Sequence, residues 1–295
     1  PGITINELNL SVRHAQAHQP LARLVIGFDY QAGVSPKPRQ RPGFEQARMA
    51  GSRPDLSSRS YLRQRFKDLQ ASLFSFDILA ESITALAPPP EPRIRQFFAD
   101  GAWRSITRQL TGRGGYIFSA RNTVSTGIDM RFSADPNLSL LGEVMEFCYH
   151  NDIETRFFFT PTHVFVVDLW FRLASEELWR NTHREIIAMN ERLAKQYGKP
   201  AFEIWGFGHE RTVTDEPIYY TKDIEQAYYD DGVHYRPKLA KRLMDVLGDG
   251  QTDGFGRRLD SATIDAYLDS VDALRVGFFR DNEDLVKDLH RRIAE

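Results

Sequence analysis

Asp231-Gly232-Val233-His234-Tyr235 brings an acid and an imidazole three residues apart, and Arg236-Pro237 follows at once. A neutral imidazole can remove a hydroxyl proton near pH 7, and a carboxylate beside it fixes the tautomer and stabilises the imidazolium that forms. Asp231 has the right offset from His234. Asp230 reads instead as a cap or a solvated side chain of the turn. Gly232 permits a tight turn, Pro237 suits a first helical position, and Leu239, Leu243, Met244 and Leu247 recur at helical spacing up to Gly248. The dyad should therefore sit on a loop held by a rigid helix. An ion pair that merely stabilises the turn is the competing reading.

A base needs a hydroxyl to activate. No Gly-x-Ser-x-Gly and no Gly-Asp-Ser occurs in the chain. Ser11, within Asn9-Leu10-Ser11-Val12, and Ser125, within Asn122 to Gly127, read as serines in polar, turn-like settings that either attack a carbonyl or simply bond the backbone. His163 and His209 follow apolar runs, so both are candidates to line the same crevice as His234. A metal-dependent hydrolase built on His163, His209 and Asp231 is a further alternative, which the sequence spacing of those three does not support. No metal and no cofactor is expected.

The elements that must position these groups alternate between strand and helix. Leu24 to Phe28, Ile153 to Phe159 and Pro200 to Phe207 read as buried strands, each with polar or ionisable residues just beyond it, where open α/β sheets build their ligand crevice. Asp135-Pro136 reads as the start of a helix through Leu141, Val144 and Cys148. Ser175 reads as the cap of a long helix to Gly198. Strand, helix, strand in this order implies a mainly parallel sheet in a three-layer α/β sandwich. Tyr61 to Leu86 reads as one or two helices. Residues 31–115 read as an inserted helical and basic flap, in which Arg48, Arg53, Arg59, Arg63 and Arg65 are either solvated or touch an anionic polymer. Residues 255–295 read as a helical extension capped near Asp260.

The chain has 295 residues, 41% of them apolar and twenty of them Phe, enough for a substantial core. A net charge of −2 supplies no clustered positive field for nucleic acid or an anionic membrane. The single Cys148 lies in an apolar helical pattern and reads as a buried thiol. No apolar run is long enough to span a bilayer, so a membrane anchor is expected only in a segment upstream of Pro1. Trp170, Phe171, Trp179, Tyr219, Tyr220, Tyr228 and Tyr229 are either packing residues or platforms for sugar rings.

The block Tyr229 to Pro237 resembles the last block of the SGNH (GDSL-like) hydrolase superfamily, in which Asp-x-x-His precedes the final helix. An aliphatic strand ending in Asp29, the Asn9-Leu10-Ser11 segment and Pro161-Thr162-His163 resemble bacterial envelope proteins of that superfamily, which are related to polysaccharide O-acetyltransferases. The resemblance implies an SGNH or flavodoxin-like fold over 1–295, with the first strand and its nucleophilic Ser upstream of Pro1. It implies His234 as base, Asp231 as its orienter, and an oxyanion or substrate pocket near Asn9, Ser11, His163 and His209. Val12-Arg13-His14 depart from the pattern, standing where glycine is common. The resemblance further implies an acylated carbohydrate or other acyl ester as substrate and a bacterial cell-envelope location, with a cytoplasmic one as the alternative. A glycan-binding or assembly protein that keeps the fold without the chemistry is the rival from another class.

Overall fold

A computed structural model describes residues 4–30, 59–73, 113–130, 138–219, 227–249 and 254–294, with positions 44, 46 and 49. The elements are α1 (Ile5–His18), β1 (Arg23–Phe28), α2 (Arg59–Leu73), α3 (Arg113–Met130), α4 (Ser139–His150) and β2 (Glu154–Phe159). They continue with α5 (Val164–Leu173), α6 (Glu176–Tyr197), β3 (Glu203–Gly206), α7 (Pro237–Asp249), β4 (Arg257–Leu259), α8 (Ile264–Asp281) and α9 (Glu283–Ala294). The chain divides into two compact units. One comprises 1–9, 21–40 and 110–295, and the other 10–20 and 41–109.

The first unit is an α/β structure around one sheet of order β1-β2-β3-β4. β1 pairs parallel with β2 from Arg23↔Glu154 to Phe28↔Phe159, and β2 pairs parallel with β3. β4 closes the other side of β3 in the antiparallel sense, through Ile204↔Leu259 and Gly206↔Arg257. The arrangement is compatible with a three-layer sandwich, because a parallel sheet needs helices over both faces to bury its apolar strands. Phe157, Phe159, Ile204 and Trp205 on the strands and Met145, Cys148, Ile186 and Leu268 on the helices are all buried.

Three expected strands are therefore present, and the long helix runs as its ends predict. Ser175 Oγ accepts from the Leu178 N–H at 2.9 Å, and Gly198 takes the left-handed backbone that ends the helix. α4 begins at Ser139 with no side-chain cap, and Asp135-Pro136 lies outside the described residues. Of the Tyr61 to Leu86 segment, the described part is helical, within α2. Asp260 caps as expected, its Oδ1 accepting from the backbone N–H groups of Ala262 and Thr263. Most of the basic flap lies outside the described residues; Arg59, Arg63 and Arg65 fall on α2.

Two local expectations are corrected. Ser11 and Ser125 are not in turns: they lie on α1 and α3. For α1 the cause is a capping box. Thr4 Oγ1 accepts from the Glu7 N–H at 3.2 Å while Glu7 Oε2 accepts from the Thr4 N–H at 3.1 Å, and Ile5, Asn9 and Val12 face the interior at helical spacing.

Among the ties between helices, Asp168 on α5 is 5% exposed at its side chain and accepts from Arg275 of α8 at 2.6 Å and from Arg172 at 2.5 Å. Removing one partner of a buried pair leaves an uncompensated charge, so Asp168→Ala should cost about 3 kcal/mol. A urea unfolding curve that keeps its midpoint in this variant would contradict the assignment.

Candidate functional site

The Asp231 to His234 loop is a miniature hairpin. Tyr229 and Tyr235 bridge antiparallel, the Asp230 N–H donates to His234 O at 2.9 Å, and the Arg236 N–H donates to Tyr228 O at 2.7 Å. Inside it Asp231 serves two purposes. Its Oδ1 accepts from the backbone N–H groups of Val233 at 3.1 Å and His234 at 2.8 Å, an Asx-type turn, and its Oδ2 accepts from His234 Nδ1–H at 2.7 Å. The carboxylate is thus locked by the backbone before it touches the ring. That bond and the neighbouring charge raise the His234 pKa, against a smaller opposing effect of burial. The His234 side chain is 67% exposed.

Gly232 is required at the bend. Its φ is 84°, and a Cβ there would lie 2.7 Å from Tyr116 Cε1.

The loop is held from below by residues at the carboxyl end of β2. The His163 N–H donates to Gly232 O at 2.9 Å. Glu216, which sequence reasoning missed, is buried and accepts from the N–H groups of Ala227 and Tyr228 at 3.1 Å each and of Tyr229 at 2.8 Å. Burial pushes the Glu216 carboxyl up, and these three donors partly offset the push. No sequence motif marks such a carboxylate, because its partners are backbone amides eleven to thirteen positions away. On the other side burial raises the Tyr235 pKa, and the charge of Asp29, the residue just after β1, raises it further. The dyad therefore stands at the carboxyl edge of β1 and β2.

His163 is fully buried and both ring nitrogens are engaged. Nδ1 accepts from the Phe165 N–H at 3.1 Å, capping α5, and Nε2–H donates to Glu216 O at 2.9 Å. Burial lowers its pKa to about 4. His209, beyond β3, stacks edge-on against Tyr267 with ring centres 5.5 Å apart, and its Nε2 lies 3.4 Å from Glu210 Oε1. Burial first and then Arg257 lower it to about 4. Asn9 is buried, and its amide donates to Glu143 at 2.9 Å. Ser11 lies two residues further along the same helix, α1. Among the described residues no group of three or more His, Cys, Asp or Glu is arranged to hold a metal ion, so His163, His209 and Asp231 do not converge.

The crevice beyond the strands is a small cavity of about 20 Å³, lined by Phe28, Tyr30, Thr160, Trp170, His183 and Tyr267 among others. That is room for about one water molecule. Trp170 Nε1 is buried there without a hydrogen-bond partner among the described residues, and His183 donates through Nδ1 to Trp179 O at 2.8 Å, its pKa lowered to about 4 by burial. Of the aromatic residues marked in the sequence, Trp170, Trp179 and Tyr229 are buried in the interior, and Tyr220 lies outside the described residues.

No family model, curated protein or solved structure matches this chain. The dyad's own geometry therefore carries the functional argument.

His163, His183 and His209 are neutral when folded and protonate more readily when unfolded. Between about pH 6.5 and 4 the unfolded state binds more protons, so stability falls as pH is lowered through that window. The slope should reach at most ~1.4 kcal/mol per pH unit for each imidazole. Urea midpoints at pH 7 and pH 5 check this, and equal values would contradict the neutral interior histidines. His234 contributes with the opposite sign. Its raised pKa adds stability below the ordinary histidine value and loses it as pH rises through the folded value, an effect that its exposure keeps small.

Proposed function

We propose that the chain carries the base of an acyl-transfer site, acting on an acyl ester of a carbohydrate in the bacterial envelope by hydrolysis or by transfer to an acceptor hydroxyl. The observation that carries this reading is the 2.7 Å bond from His234 Nδ1–H to a carboxylate fixed by two backbone amides, with Nε2 left as acceptor on an accessible surface.

In the forward step Nε2 takes the proton of an attacking hydroxyl as its oxygen adds to the acyl carbonyl. The resulting imidazolium is stabilised by Asp231. When the tetrahedral intermediate collapses, the departing alkoxide takes that proton back, and the base is regenerated.

Among the described residues no hydroxyl or thiol hydrogen-bonds Nε2 of His234. In the doubly wound order that the SGNH resemblance implies, a first strand would lie between the second and third. β1 and β2 are hydrogen-bonded to each other along six residue pairs. A strand bearing the nucleophilic Ser would have to join another edge of the sheet.

One observation favours the non-catalytic glycan-binding reading. Val12, Arg13 and His14 lie inside α1, where backbone N–H groups are consumed by the helix and are not free to form an oxyanion hole.

The protein should hydrolyse p-nitrophenyl acetate or an acetylated oligosaccharide, and His234→Ala should lower kcat/KM by about 10²- to 10⁴-fold. Activity should rise with pH as His234 loses its proton. Asp231→Asn should move that limb to lower pH, because the carboxylate is what raises the ring. Unchanged turnover in His234→Ala refutes the base. Retained binding of an acetylated oligosaccharide without any turnover in the parent protein favours the binding reading.

A further inference from the structure

The second compact unit holds a pair of histidines that the dyad does not use. His14 and His18 stand four residues apart on α1, with ring centres 4.4 Å apart and planes inclined by 66°. An i, i+4 pair projects from one face of a helix, the spacing by which two imidazoles chelate a single ion. The Tyr61 hydroxyl on α2 lies 3.0 Å from His18 Nε2. In the tautomer whose Nε2–H donates to this hydroxyl, Nδ1 of His18 is the ring's acceptor, the outer-sphere arrangement that orients metal-bound histidines.

From these observations we propose that His14 and His18 form a two-imidazole site for a divalent late transition metal of the nickel, copper and zinc group. Water would fill the remaining positions.

The distances suit such an ion. With metal–nitrogen bonds of about 2.0–2.1 Å, each ring centre lies roughly 3.2 Å from the metal. Two centres 4.4 Å apart then subtend close to a right angle, the cis angle of square-planar and octahedral sites, which favours copper(II) and nickel(II) over tetrahedral zinc. The charge environment is mixed. Burial, His18 and Arg65 lower the His14 pKa. Arg65 opposes an added cation. His18 ends α1, where the negative end of the helix dipole favours one. His18 is exposed and His14 half-buried, so an ion reaches the pair from solvent.

The test uses untagged protein titrated with nickel(II) and with copper(II) chloride by calorimetry, with electron paramagnetic resonance of the copper form. One equivalent should bind with Kd below about 100 µM, copper tighter than nickel. The copper spectrum should carry two-nitrogen hyperfine structure. His14→Gln and His18→Gln should each weaken binding about tenfold or more, since each turns a chelate into a single contact. His150→Gln, an exposed histidine on α4, should leave it unchanged. Circular dichroism checks that each variant is folded; if His14→Gln is not, the exposed His18→Gln decides. Absence of saturable binding, or binding that survives His18→Gln or is lost in His150→Gln, overturns the site.

Discussion

The parallel pairing of β1 with β2 is the constraint on which the first unit depends. It joins segments as far apart as Arg23 and Glu154, which are 131 positions distant. Closing so long a loop costs conformational entropy that only the pairing and its buried flanks can offset. The Arg23–Glu154 ion pair contributes little, being half exposed on both sides. The offset comes from rings and aliphatic groups along the two strands, Ile26, Phe28, Phe157 and Phe159, all buried. Register also has a geometric consequence. Phe28 and Phe159 end level with each other, and the Thr160 N–H extends the ladder to Phe28 O at 3.1 Å. Asp29 and the Thr160 to His163 segment therefore leave the sheet side by side.

That shared exit lets the later loop be fixed from two directions. His163 donates through its backbone to Gly232 and through its ring to the Glu216 carbonyl, while the Glu216 carboxylate collects the amides that lead into the dyad. A buried carboxylate held by three amide donors satisfies groups that an irregular loop would otherwise leave unpaired. The loop carrying Asp231 is thus as well anchored as a secondary-structure element. Its tip stays open to solvent. Rigid support beneath an accessible imidazole is the arrangement a proton acceptor needs, because positional freedom at the ring would dilute its reach toward any hydroxyl.

How much of this was legible in the sequence follows from the range of the interactions. The Asp231–His234 pair was readable because it closes within four residues through the aspartate's own turn. The strands were readable as apolar runs, and Ser175 and Gly198 as helix ends, for the same local reason. The helix over Ser11 was signalled by Thr4 and Glu7, a reciprocal cap that a search for turn serines overlooks. β4 was not legible: Arg257-Arg258-Leu259 has no apolar alternation, and it is a strand because β3 offers an unpaired edge. The roles of His163 and Glu216 were equally hidden, since burial and backbone partners at a distance determine them.

The histidines make the physical difference between support and chemistry plain. His163 and His183 are fully enclosed, spend ring nitrogens on backbone groups, and are driven toward the neutral form by loss of water. Charging either would place an ion in an apolar interior, so neither can take up a proton during a reaction without straining the core. His234 inverts every one of these conditions. Its partner is a carboxylate, its pKa moves up, and its ring lies mostly in solvent. An imidazole whose charged form is already stabilised by a carboxylate becomes an imidazolium at little cost. The same residue type thus serves as cap and core filler where the sheet needs closure, and stands beside a carboxylate in solvent where the loop turns outward.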